Sequence, residues 1–168
     1  TGKSLEVTIT FAAQTPWYKT ITRYNDGIIT GGKVYDYQYD YTYSNAVVNS
    51  VTVDSDSYQS SPVKLIIFGQ AVNPTWRHYL NNVLQASGKI NGTILANHKL
   101  VIDTTSIPYS IKQYDMQGNL ISDMYQQSDF STSRFVRFGR GRNTVAFTAE
   151  NTNKLNVGVE AQIEYATV

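Results

Sequence analysis

Tyr35, Tyr37, Tyr39, Tyr41 and Tyr43 occupy every second position of one short stretch. Side chains of an extended strand alternate between its two faces, so all five rings share a face, and Val34, Asp36, Gln38, Asp40 and Thr42 share the other. Tyrosine has an apolar ring and a polar tip. Such a row can fill a core, stack on sugar rings or dock on another protein. Trp76 and Tyr79 are a second group, with rings suited to a polysaccharide. Arg134, Arg137, Arg140 and Arg142 are a third, clustered around Gly139 and Gly141. This group suits a phosphate contact, a solvated hairpin or a protein interface, where arginine is enriched.

Other residues that carry chemistry are sparse. His78 and His98 are the two histidines, and neither has a second ligand at metal spacing. Both are expected as exposed or hydrogen-bonded surface residues. Asp54 and Asp56 open like a calcium loop, but Gln59 stands at its glycine position and Leu65 at its bidentate glutamate position. Asp36 and Asp40 lie about 13 Å apart along a strand, too far for a glycosidase pair. There is no Gly-x-Ser-x-Gly elbow and no cysteine. The chain is therefore expected to be no enzyme and to bind no metal or other cofactor.

The 168 residues suit one domain, with 14 basic and 13 acidic side chains and a net charge of +1. That balance gives no footprint for nucleic acid. No apolar run approaches the roughly 18 residues of a membrane helix, and the first residues lack the order of a signal peptide. Thr1 is not a natural start, so a processed chain or excised fragment is expected. Thirteen tyrosines and many Val, Ile and Thr give strand composition.

The elements that must position these residues read as a dozen short strands. Leu5 to Phe11 alternates, and Pro16 interrupts it. Lys19 to Tyr24 is a short strand ended by Asn25-Asp26-Gly27, and Gly31-Gly32 turns into the tyrosine strand. Ala46 to Val53 follows. Val63 to Phe68 is the most apolar run and the candidate central strand. Asn73-Pro74 is a break, and Trp76 to Leu84 reads equally as an irregular strand or a short helix. Three hairpins are expected: Lys89–Leu95 with Lys99–Asp103, Tyr109–Tyr114 with Asn119–Ile121, and Arg134–Phe138 with Asn143–Thr148. Ser122 to Phe130 holds a helical turn. Leu155 to Tyr165 ends the chain with apolar residues at period two. The expected fold is all-β, an antiparallel β-sandwich of jelly-roll or galectin-like type. Residues 1–30 are expected as lead-in strands and 31–168 as the sandwich.

The order of several segments resembles the distal tail (Dit) family of phages with long, non-contractile tails. The likeness is carried by Glu6-Val-Thr-Ile-Thr-Phe11 with Thr15-Pro-Trp17-Tyr18, and by Gly32 with the aromatic alternation from Tyr35 to Tyr43. It continues through Ile66-Ile-Phe-Gly69 with Asn73-Pro74, and Gly92-Thr-Ile94 with Lys99-Leu-Val-Ile-Asp103. It ends on Asp129-Phe130, Phe135 to Phe138 and Gly141-Arg-Asn143. The resemblance implies a virion structural protein at the distal end of the tail, made in the bacterial cytoplasm. It implies a link between the tail and adsorption or receptor-binding parts, a hexameric ring through an N-terminal belt domain, and a galectin-like C-terminal sandwich. The segment before Glu6 is too short for the belt domain, so the end of that domain plus the sandwich is expected. A carbohydrate-binding module for host cell-wall polysaccharide is the alternative reading. Galectin sugar sites use a set of polar residues around a tryptophan, and no such set is matched here.

Overall fold

The apolar run from Val63 to Phe68 lies at the centre of a sheet in the computed structural model, which describes residues 17–25, 49–152 and 154–165. This strand, β3, follows β1 (Trp17–Asn25) and β2 (Asn49–Ser55) and spans Ser61–Phe68. Val63, Leu65 and Ile67 point into the core and are fully buried. Ile66 is buried on the opposite face. Lys64 and Phe68 on that face are half-buried, so the run stands out in the sequence through Ile66 and Phe68, which add apolar residues to an otherwise alternating pattern.

The chain continues through β4 (Ala71–Val72), β5 (Thr75–Leu80), β6 (Val83–Lys89), β7 (Thr93–Ile94), β8 (His98–Asp103), β9 (Ser110–Asp115) and β10 (Leu120–Asp123). A 3-10 turn at Tyr125–Gln127 precedes β11 (Arg137–Phe138), β12 (Gly141–Thr148) and β13 (Val157–Tyr165). One sheet has the order β1-β13-β3-β8-β9-β10, with β11 beside the start of β3. The other has the order β2-β12-β5-β6, and β4 pairs with β7 apart from both. The pairs β1 with β13, β2 with β12, β3 with β8 and β5 with β6 are antiparallel. They nest like one long hairpin wrapped into two sheets, which is the jelly-roll path.

The sheets close on a single apolar layer. Val51, Val53, Trp76, Val145 and Phe147 face it from the smaller sheet, and Leu65, Ile67, Leu100, Ile102, Ile111 and Val159 from the larger. The period of two expected near the C-terminus holds, with Val157, Val159, Ala161 and Ile163 all inward.

Several local expectations change. Trp76 to Leu84 forms β5 and the start of β6, joined at Asn81 and Asn82 with φ of 48° and 68°. Two consecutive left-handed residues match the twist of a tight hairpin, and asparagine tolerates them well. The segments around β7 and β8 turn at Ala96-Asn97-His98 but do not pair with each other, since β7 joins β4 and β8 joins β3. Burying Leu100 and Ile102 against β3 is the stronger demand. Nor do β11 and β12 form a hairpin. Gly139-Arg140-Gly141 carries the chain from one sheet to the other, and Asn143 pins that corner. Its Nδ2 donates to the carbonyls of Gly139 (2.8 Å) and Gly141 (3.0 Å), and its Oδ1 accepts from Gly139 N (3.1 Å). The strand at Lys19 to Tyr24, expected within a lead-in, pairs with β13 over nine positions and belongs to the sandwich.

Candidate functional site

Between β8 and β12 the chain runs through residues 104–140, which add β9, β10, the 3-10 turn and β11 to the eight-strand roll. Thr104 fixes the start. Its buried hydroxyl accepts from Val63 N at 2.8 Å and lies 2.9 Å from the carbonyls of Val63 and Val136. The 3-10 turn is held from two sides. Met124 N donates to the Ile111 carbonyl (2.9 Å), and Asn91 N donates to the Gln127 carbonyl (2.9 Å). Met124 and Ser128, on either side of the turn, are buried.

These anchors bring four rings and two arginines together. Tyr109 and Tyr125 both neighbour Phe135, with centroids 5.2 Å and 6.3 Å away, and Tyr125 meets Phe130 edge-on at 5.5 Å. The Arg134 guanidinium sits 4.3 Å from the Phe130 centroid, 4.9 Å from Tyr125 and 5.4 Å from Phe135. A cation over a ring face is attracted by the ring's quadrupole. Arg134 also donates from Nη2 to the Tyr125 hydroxyl (2.9 Å), while its buried Nε has no partner. Arg137 donates from Nη1 to the Tyr109 hydroxyl (3.2 Å) and from Nε to Ser60 Oγ (3.0 Å), and its Nη2 meets the Ser60 carbonyl.

In front of these rings lies an open cleft of about 610 Å³, lined by Ser106, Ile107, Pro108, Tyr109, Ser110, Lys112, Asp123, Tyr125 and Gln126. Lys112 and Asp123 face each other in register across β9 and β10. Around the same extension, Ile107, Met116, Leu120, Ile121 and Phe130 are largely exposed, Ile107 at 93%. Among the described residues β10 is the outermost strand of its sheet, four residues long with a register shift between Leu120 and Ser122.

The residues singled out in the sequence are placed as follows. Tyr35, Tyr37, Tyr39, Tyr41 and Tyr43 lie outside the described residues. Trp76, expected as a sugar-stacking ring, is fully buried between the sheets, and its Nε1 donates to the Arg134 carbonyl at 2.8 Å. A ring with no exposed face cannot stack on a ligand. Tyr79 is half-buried beside a register shift in β5, and Arg140 is exposed at the β11–β12 corner. None of these three lines the cleft. The four arginines do not form one anion patch, since Arg134 and Arg137 turn to the aromatic cluster.

Of the histidines, His98 is half-buried, with Nδ1 2.6 Å from Gln113 Nε2. His78, expected at the surface, is buried instead. It stacks on Phe138 at 5.3 Å, its Nε2 lies 3.0 Å from Asn143 Oδ1, and its Nδ1 has no partner. Burial pushes its pKa below the ordinary histidine value, against a smaller opposing effect of the Asn143 bond. Among the described residues no three His, Cys, Asp or Glu side chains converge as a metal site.

Tyr109, Tyr125, Phe130 and Phe135 carried no periodic signal, because they sit on loops and a single turn. The nearest hint in the sequence was the arginine cluster that begins at Arg134. Comparison with family models, curated proteins and solved structures finds no match to this chain. Its class therefore rests on its own architecture, an antiparallel jelly-roll β-sandwich with one sheet extended by an aromatic, arginine-braced insertion.

Proposed function

We propose that this chain is a structural module of a phage tail tip or baseplate, joining the tail to adsorption or receptor-binding parts. The resemblance of its ordered segments to distal tail proteins motivates the reading. The observation that carries it is the sheet extension, where the outermost described strand β10 exposes Leu120 and Ile121, and the loops that flank β10 and the 3-10 turn expose Met116 and Phe130. An edge strand offers free N–H and C=O groups to a neighbouring chain; β10 is short and has a register shift between Leu120 and Ser122, so on this reading its exposed apolar side chains make most of the contact. Aromatic residues, methionine and arginine are also what interface cores favour.

On this reading the partners are other tail or baseplate subunits, in a hexameric ring when the belt domain is present. The site of action is the distal end of the virion tail. Immunogold labelling of particles purified from a lysate carrying this gene tests the proposal. Label at the distal tip of the tail is the expected result, and particles without label overturn the reading.

A further inference from the structure

We propose that the cleft between the Tyr109 loop and the 3-10 turn is a binding site for a neutral saccharide. This goes beyond the docking role of the β10 edge and stands or falls separately from it. The cleft has a ligand-sized volume of about 610 Å³, and its two kinds of wall match the two kinds of surface on a sugar.

The first wall is aromatic. Tyr109 and Tyr125 are not coplanar, because Phe135 is inclined 58° to one and 24° to the other. They make a corner rather than a flat plate. A pyranose ring has an apolar face of C–H groups, which packs on an aromatic ring while its hydroxyls point elsewhere. Arg137 and Arg134 hold the two phenol tips from behind, so the rings need little ordering when a ligand arrives. Preorganisation of this kind lowers the cost of binding.

The second wall is polar and balanced. Lys112 supplies donors, the Asp123 carboxylate supplies acceptors, and Gln126 and Ser110 supply both. Vicinal hydroxyls each donate and accept, so a cation and a carboxylate facing each other across β9 and β10 can serve one diol together. Asp123 Oδ1 already accepts from Tyr125 N at 2.9 Å, which orients its carboxylate. The opposite charges of Lys112 and Asp123 cancel, which disfavours a phosphate or a nucleic-acid backbone. The polar groups likewise disfavour a lipid chain.

The test is NMR titration of the intact chain with a panel of neutral hexose and N-acetylhexosamine oligosaccharides at millimolar concentration, with inorganic phosphate as a parallel arm. Saturable shifts of the Tyr109 and Tyr125 ring signals by at least one sugar, but not by phosphate, are expected. Lys112→Ala and Asp123→Asn change partly exposed side chains and leave the fold intact. Each is expected to weaken that sugar about tenfold, the scale of one charge-assisted hydrogen bond, while Leu120→Asp leaves affinity unchanged. The proposal is overturned if no sugar shifts these rings, if phosphate shifts them as strongly, or if binding is indifferent to both cleft variants.

Discussion

Arg134 donates a hydrogen bond to the Tyr125 hydroxyl at 2.9 Å while its guanidinium lies 4.9 Å from the centre of the same ring. One side chain thus fixes both the tip and the setting of a ring that lines the cleft. Replacing it with methionine keeps apolar contact with Phe130 and Phe135 and removes the bond and the charge. Arg134→Met is expected to lower unfolding free energy by about 1–2 kcal/mol, read from the midpoint of urea denaturation. The ring NMR signals of Tyr125 should also broaden or shift. An unchanged midpoint with unchanged Tyr125 signals would show that the arginine is a bystander.

Trp76 and Gly88 are matched across β5 and β6. A methyl group on Gly88 would collide with the Trp76 ring and approach Arg134 Cβ at 2.9 Å. Gly88→Ala is therefore expected to destabilise the fold by about 1–3 kcal/mol, the usual scale of overpacking. Trp76→Ala empties a fully buried site and is expected to cost more, about 3–5 kcal/mol. Chemical denaturation of both variants checks the order.

His78 ties stability to pH. Burial lowers its pKa in the folded chain, so the unfolded chain, with a histidine pKa of about 6.5, takes up a proton first as the solution is acidified. Its contribution is complete above about pH 6.5 and is lost as pH falls from there towards the lowered folded value. His78→Gln should flatten this part of the stability profile. Melting temperatures of both forms between neutral and mildly acidic pH measure it, and parallel profiles would contradict the assignment.

Asn143 joins His78 to the corner between the sheets. Asn143→Ala leaves the carbonyls of Gly139 and Gly141 and the Gly139 N–H without their side-chain partner. These groups are half-buried, so losing each bond costs about 1 kcal/mol, rising towards about 3 kcal/mol only where water cannot reach it. The variant is expected to lose at least the lower of these amounts in denaturant unfolding, with faster amide hydrogen exchange at residues 139–143. Wild-type exchange there would show the corner to be held by other means.

The strands that were legible in the sequence are those whose own pattern decides them. Val63 to Phe68 is apolar but for Lys64, because its inner face is fully buried and Ile66 is buried on the other, and Val157 to Ile163 alternates because one face is buried. Trp76 was harder to read. Its segment reads equally as an irregular strand or a short helix, and only the pairing of β5 with β12 and β6 turns the ring inward. Strand partners were less legible still. β11 and β12 lie next to each other in sequence yet join different sheets, a choice made by the Asn143 corner and the long-range pairing of β3. The cleft was hidden for the same reason. Tyr109 and Tyr125 meet Phe135 across loops that Thr104 ties to Val63 and Val136 and Met124 ties to Ile111.

Leu120 is the residue on which the docking role turns, since it is 54% exposed on the outermost strand and contributes nothing to the buried core. Leu120→Asp should fold like the wild type and place a charge where an interface core would exclude it. The decisive measurement is quantitative mass spectrometry of purified phage particles made with either form. The expected result is wild-type chain at a fixed ratio to the other tail proteins and the Leu120→Asp chain strongly depleted. Particles that lack the wild-type chain, or that incorporate both forms equally, would contradict the account.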